Sequence, residues 1–256
     1  MNFISHIHTD IGIKKSVNQD SALYMEAKTD YDNVVFCLLC DGMGGLANGE
    51  LASATVIRAF AKWFENEFPD MLYKGFDSKM LEKRWSEIVF EQNIKIMSHA
   101  RSLGSNMGTT AVIMLISGGN YYIMNIGDSR AYVCNSNGLI QLTVDQTFVN
   151  REIKMGNMTP EEARVDPRRN VLLQCVGASQ FIEPDFFMGN ANLNDVFMLC
   201  SDGFRHEITQ EEISQAFAPE NINSEEDFEK AEIELVELNK SRMENDNITV
   251  LAVKLV

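Results

Sequence analysis

The stretch "AVIMLISGGNYYIMNIGDSRAYVCNSNGLIQLT", residues 111–143, decides the class of fold. Short runs rich in branched and aromatic residues alternate with SGGN (117–120), GDSR (127–130) and NSNG (135–138), all turn-forming sequences. The pattern reads as a meander of strands over 110–116, 121–126, 130–134 and 139–142. Strand candidates also lie at 21–25, 34–40, 196–200 and 247–255. Two long helices interrupt them. Residues 49–68 place Leu51, Ala54, Ile57, Phe60, Ala61 and Phe64 on one stripe, and residues 80–101 do the same with Leu81, Trp85, Ile88, Val89, Gln92 and Ile96. A third helix is expected near 225–243. Hairpins in series with helices in pairs, without strict alternation, point to an α+β fold of antiparallel sheets covered by helices.

The chain has 256 residues, 45% of them hydrophobic and 23% charged, and no linker-like tract divides it, so a single domain over 1–256 is expected. No apolar run reaches the roughly 20 residues of a membrane span. The start, MNFISHIHTD, has no basic region followed by an apolar one, so no signal peptide is read and a cytoplasmic monomer is the expectation. Net charge is −15, and residues 207–246 alone hold 13 acidic and 3 basic side chains. That excludes nucleic acid as a natural partner, since phosphate neutralisation needs clustered Lys and Arg. The five cysteines are odd in number and widely spaced, against a disulfide framework. Cys37 and Cys40 lie three apart on a strand and should point to opposite faces, against a metal or redox pair.

Aspartates recur at strand ends. VVFCLLCDGMGG (34–45) stops seven apolar residues at Asp41, followed by Gly42; VFMLCSDGF ends on Asp202-Gly203. Asp128 lies in the GDSR turn, Asp246 precedes the last strand, and Asp20 precedes the first candidate strand. Taken singly each is ordinary turn chemistry. If the strands share two facing sheets, the acids gather at one end, where like charges raise one another's pKa unless cations are bound. Oxygen ligands without a Cys/His set suit Mg²⁺ or Mn²⁺. Ions of that kind supply activated water for attack on phosphorus. The residues themselves therefore indicate a metal-dependent hydrolase of phosphate esters.

The chain resembles the metal-dependent protein phosphatase (PPM) family, protein phosphatase 2C type, in its bacterial branch. The resemblance rests on TDIGIKKSVNQDS, CDGMGGLANGELAS, GTTAVIMLI, NIGDSRAYV, TPEEARVDPRRNVLLQCVG, LCSDGF and DNITVLAV, in family order over nearly the whole chain. It implies a four-layer α-β-β-α sandwich of two antiparallel sheets flanked by helix pairs, and a binuclear Mn²⁺ or Mg²⁺ centre. Asp41 would bridge both ions, the Gly42 carbonyl would bind one, and Asp202 and Asp246 would complete the other. Asp20 would orient metal-bound water, and Asp128 would help hold a weaker third ion. Residues 146–185, with Pro160, Pro167 and Pro184, would form a mobile flap; TPEEA within it reads as a helix start with Thr159 as N-cap. The implied reaction is hydrolysis of phosphoserine and phosphothreonine in proteins, phosphorylated by a cognate kinase, through direct attack of a metal-bridging hydroxide. The alternative is a catalytically impaired phosphoprotein-binding or regulatory member of the same fold.

Several positions depart from the family pattern. Lys15 stands where relatives usually place a phosphate-binding Arg, which exchanges a bidentate fork for a point charge. Gln19 replaces a common Glu, Asp145-Gln146 replaces a common Asp-His, and Met43 stands where animal relatives carry a His. His206 occupies the position of an Asp that helps bind the third ion; imidazole there would favour Mn²⁺.

Overall fold

Seven consecutive apolar residues, 34–40, make a strand with no polar face, and the computed structural model, which describes residues 1–29, 33–44 and 48–256, shows why. Along β3 (Asn33–Cys40) successive side chains point to opposite sides. Val35, Cys37 and Leu39 enter a core between two sheets, whereas Val34, Phe36, Leu38 and Cys40 enter a second core beneath helices. Both faces of the strand are dry, so no alternation is visible in its sequence. The two thiols diverge as expected, and all five cysteines are free and buried.

One five-stranded sheet has the order β10 (Asp185–Asn190), β7 (Asn120–Ile126), β6 (Ala111–Ser117), β3, β2 (Ser21–Lys28). The other runs β1 (Phe3–Asp10), β12 (Ile248–Leu255), β11 (Val196–Cys200), β8 (Arg130–Asn135), β9 (Gly138–Gln141). All their ladders are antiparallel. A short ladder pairs β4 (Gly42–Gly44) with β5 (Met107–Thr109). Helices α1 (Gly49–Asn66), α2 (Phe68–Lys74) and α3 (Ser78–Ser102) cover the first sheet. There Phe36 packs on Trp63 and Phe64 at centroid distances of 5.5 and 5.2 Å. Past the flap helices α4 (Phe148–Lys154) and α5 (Pro160–Val165), helices α6 (Asp202–Arg205), α7 (Gln210–Ala216) and α8 (Glu225–Ser241) cover the second sheet. The expected four-layer α+β sandwich is the observed one.

Three expectations need correction. The meander is not continuous: β6–β7 and β8–β9 are hairpins, but the GDSR turn carries the chain from one sheet to the other. Turn sequence alone does not tell a hairpin from a crossing of the sandwich. The buried stripe of α1 is Ala52, Val56, Phe60, Trp63 and Phe64, with Leu51 exposed, and on α3 Asn93 rather than Gln92 faces inward. Asn93 is held there by hydrogen bonds, accepting from Gly177 N at 2.6 Å and donating to Ser179 O at 3.0 Å. Residues 146–185 do not stand off the sheets as a whole. Thr147, Val149, Cys175 and Val176 are buried, bridges join Thr147 to Leu172 and Thr109 to Val176, and Asp185 opens β10. Helices α4 and α5 lie within this segment, and Thr159 caps α5 in a reciprocal capping box with Glu162. Strands β1, β4, β5 and β10 were not legible in the sequence.

A buried acid ties α8 to β1. Glu232, fully buried on α8, lies 2.5 Å from His6 Nδ1. Burial, with the charge of Glu229 adding to it, pushes Glu232 up to about 9. An acid whose folded pKa exceeds its unfolded value stabilises the fold below about pH 4.5, and that contribution is lost as pH rises towards 9. Urea denaturation of the wild type is therefore expected to weaken from pH 5 to pH 9 more than that of Glu232→Gln, which has no charge to bury.

Candidate metal centre

All the strand-end aspartates fall at one edge of the sandwich, and the register dictates it. Strands β3, β7, β11 and β1 end at this edge, while β2, β6, β8 and β12 begin there. Ser21 pairs with Cys40, so the next residues outward are Asp20 and Asp41, side by side. Cys200 pairs with Val250, which brings Asp202 towards Asp246. Asp128 occupies the crossing between β7 and β8 at the same edge.

Each acid is fixed through its backbone. Asp41 N donates to Thr110 Oγ1 at 2.9 Å, and Asp41 O accepts from Thr110 N and Thr109 Oγ1, both at 2.9 Å. Thr110 Oγ1 also contacts Ser129 Oγ at 2.7 Å, linking the Asp41 strand end to the GDSR crossing. Gln146 holds the far side of that crossing, exchanging hydrogen bonds with Gly127 through Oε1 at 2.8 Å and its own N at 3.0 Å. Asn247 Oδ1 accepts from Gln19 N at 2.9 Å while its Nδ2 donates to Ile11 O and Val17 O, so one side chain fastens the loop carrying Lys15 to the start of β12. Asn247 lies in DNITVLAV and the Thr109–Thr110 pair in GTTAVIMLI, but polar residues beside conspicuous aspartates carry no sequence signal of this task.

The glycines after the aspartates serve close approach. A Cβ on Gly42 would stand 2.4 Å from both Gln19 O and Gly49 O, and one on Gly203 would stand 2.2 Å from Asn247 O. The Asp-Gly pairs thus let neighbouring backbones close in and draw Asp20 to Asp41 and Asp202 to Asp246. Residues 45–47 of the glycine-rich stretch lie outside the described residues.

The electrostatics confirm convergence. Desolvation, and then the charges of Asp20, Asp202, Asp128 and Asp246, push Asp41 well above the ordinary carboxyl range. Burial raises Asp20 to about 7, against the nearby Thr249 and Ser201 hydroxyls, which favour its charged form, and with Asp202 and Asp246 adding to it. Both carboxylate oxygens of Asp20 and Oδ1 of Asp202 are buried without a hydrogen-bond partner. Orphaned anionic oxygens in a crowded acidic corner fit a hard divalent cation. Among the described residues no group of three or more His, Cys, Asp or Glu side chains forms a ready-made cage. Magnesium-like ions keep several waters and need few side chains, and a backbone carbonyl such as that of Gly42 counts as a ligand.

Lys15 reaches this corner, its Nζ 2.6 Å from Asp246 Oδ1. Against the effect of burial, Asp246 raises its pKa, with Asp41 and Asp202 contributing. His206 faces Asp202 Oδ2 through Nε2 at 3.6 Å and Glu244 Oε2 through Nδ1 at 3.4 Å. Asp128 is raised to about 7 by burial and by Asp202, and its partner is Arg205, which the sequence reading passed over. Beside Asp128, a cleft of about 380 Å³ opens between the sheet edge and α4–α5, lined in part by Arg130, Arg164, Arg169 and His206.

The protein phosphatase 2C family model matches residues 13–152, more than half the chain. The chain belongs to the protein phosphatase 2C family. It is 30% identical to the serine/threonine phosphatase stp of Listeria monocytogenes over 250 residues, covering 98% of this chain and 95% of that protein. Its structure is similar to that of the S. agalactiae serine/threonine phosphatase, with a TM-score of 0.86, 28% identity and full coverage of both chains. It is also similar to the catalytic domain of the serine/threonine phosphatase PstP in complex with two manganese ions, with a TM-score of 0.79, 29% identity and coverage of 99% and 98%. Protein phosphatase 2C enzymes are metal-dependent phosphatases, and membership gives the chain that general chemistry.

The close approach at Gly203 can be tested directly. Gly203→Ala is expected to lower stability to urea by about 1–3 kcal/mol, the usual cost of overpacking, and to weaken Mn²⁺ binding measured by calorimetry, because Asp202 and Asp246 are pushed apart.

Proposed function

We propose that the chain is a single catalytic domain that hydrolyses phosphoserine and phosphothreonine in proteins, using Mn²⁺ or Mg²⁺ held by Asp41, the Gly42 carbonyl, Asp202 and Asp246. The observation that carries this reading is the convergence of Asp20, Asp41, Asp202 and Asp246, with both oxygens of Asp20 and Oδ1 of Asp202 buried and unpartnered. A phosphoprotein-binding module would gain nothing from such an arrangement, since an uncompensated acidic corner destabilises the fold. When bound, the ions would supply an acidified water for in-line displacement and positive charge for the phosphoryl oxygens.

The side chains around them have separable tasks. Asp41 spans the site from a strand end that the Thr109 and Thr110 hydrogen bonds keep from moving. Asp20, beside it, accepts a proton or hydrogen bond from the attacking water. Lys15 pairs with Asp246; its long stem and 40% side-chain exposure allow the ammonium to move from Asp246 to a substrate phosphate. Met43 stands where an imidazole acid would otherwise be, so the leaving alcohol takes its proton from water. Substrates are supplied by the opposite reaction, phosphoryl transfer to Ser or Thr by a kinase. No helix among the described residues is long and apolar enough to cross a membrane.

Two measurements test this reading. Hydrolysis of p-nitrophenyl phosphate and of a phosphothreonine peptide is expected only with Mn²⁺ or Mg²⁺. It should fall by more than about 100-fold in Asp41→Asn and Asp202→Asn, beyond the cost of losing an outer partner of a metal ligand; full activity in those variants would sink the assignment. Lys15→Arg is expected to lower KM for the peptide about five-fold, the worth of about 1 kcal/mol from one further charge-assisted hydrogen bond, with kcat little changed.

A further inference from the structure

The family resemblance gives Asp128 to a third ion, yet in this chain a side-chain cation already sits on it. Arg205 Nη2 lies 3.0 Å from the Asp128 carbonyl oxygen and 3.4 Å from Oδ2. The same nitrogen is 3.6 Å from Asp145 Oδ2. Arg130 in turn grips Asp145 through Nε and Nη2 at 2.7 and 2.6 Å, and donates to the Tyr132 hydroxyl at 2.8 Å. Charges therefore alternate along Arg130, Asp145, Arg205 and Asp128, which come from β8, the segment before α4, α6 and the crossing turn.

The lysine and arginine contacts to these acids differ in permanence. Lys15 pairs with Asp246, but the lysine side chain is 40% exposed and can withdraw into solvent. Arg205 is 11% exposed, wedged between two carboxylates, and its guanidinium does not lose its proton. The neighbouring position adds no carboxylate either: His206 stands there, with a ring nitrogen turned to each of Asp202 and Glu244. Asp128 also differs from its neighbours in the acidic corner. Oδ1 of the expected metal ligand Asp202 lacks a partner, whereas the Asp128 carboxylate has the guanidinium. A divalent ion on Asp128 would stand a few ångströms from a fixed positive charge in poorly solvated surroundings, where repulsion is weakly screened.

We propose that the Arg205 guanidinium is the third cation of this site: it holds Asp128 permanently, so the chain binds two divalent ions and not three. The proposal rests on the metal-phosphatase reading above and removes Asp128 and His206 from the ligand set. Positive charge beside Asp128 is then present whatever the supply of metal.

The test is the number of Mn²⁺ ions bound per chain, by equilibrium dialysis against millimolar Mn²⁺ and elemental analysis, with folding followed by circular dichroism. The wild type is expected to bind two, and Asp128→Asn also two. Arg205→Ala is expected to bind three, and Arg205→Ala with Asp128→Asn to return to two. A third ion in the wild type that Asp128→Asn removes would overturn the proposal, as would a folded Arg205→Ala that still binds two. Should Arg205→Ala not fold, the comparison of wild type with Asp128→Asn decides alone. A wild type binding fewer than two ions would bring down the metal-centre reading itself, and this proposal with it.

Discussion

Mutual repulsion among carboxylates at one edge of the sandwich is the constraint on which the rest of the structure depends. Asp41 is raised first by its burial and then by four other aspartates, and Asp20 is buried with both oxygens unpartnered. Side chains on flexible loops would move apart under that repulsion. Here Asp41 and Asp202 cannot, because each follows a strand buried on both faces, and interiors packed to crystal-like density do not yield. The apolar run before Asp41 and the one before Asp202 are the stiff mounts of charged tips.

Rigid strands deliver the acids to the edge, but their spacing is set by backbone contacts. Gly42 lies against the Gln19 and Gly49 carbonyls, and Gly203 lies against that of Asn247. Asn247, Thr109, Thr110 and Gln146 then hold the loops that cross the edge. The polar residues around the site thus act largely on the main chain, which fixes the acids without offering them neutralising partners.

Charge compensation is divided unequally. On one side Asp145 is held below the usual carboxylate range despite its burial, because Arg130 and Arg205 surround it, and Asp128 shares in that network. On the other side Asp20 and Asp202 keep orphaned oxygens. The contrast separates acids that the chain neutralises itself from acids that require something from outside. It also explains how a protein of net charge −15 keeps arginines at the cleft beside the site.

The linear sequence by itself determined the class of fold, the strand-end positions of Asp20, Asp41, Asp128, Asp202 and Asp246, and the family. These are local matters: apolar runs, turn residues and motifs whose physics spans a few positions. It could not show that GDSR crosses between sheets, since a turn sequence is the same whether the next strand pairs with the last or faces it. Strand β1 stayed hidden because FISHIHTD mixes apolar and polar residues, and its partner β12 lies more than 230 residues away. Nor could it show that Arg205, one of two basic residues flanking a strand-end motif, turns inward onto Asp128 and Asp145. Which charges meet is decided by sheet register and by which face of α6 is buried, and those are properties of the packed tertiary structure alone.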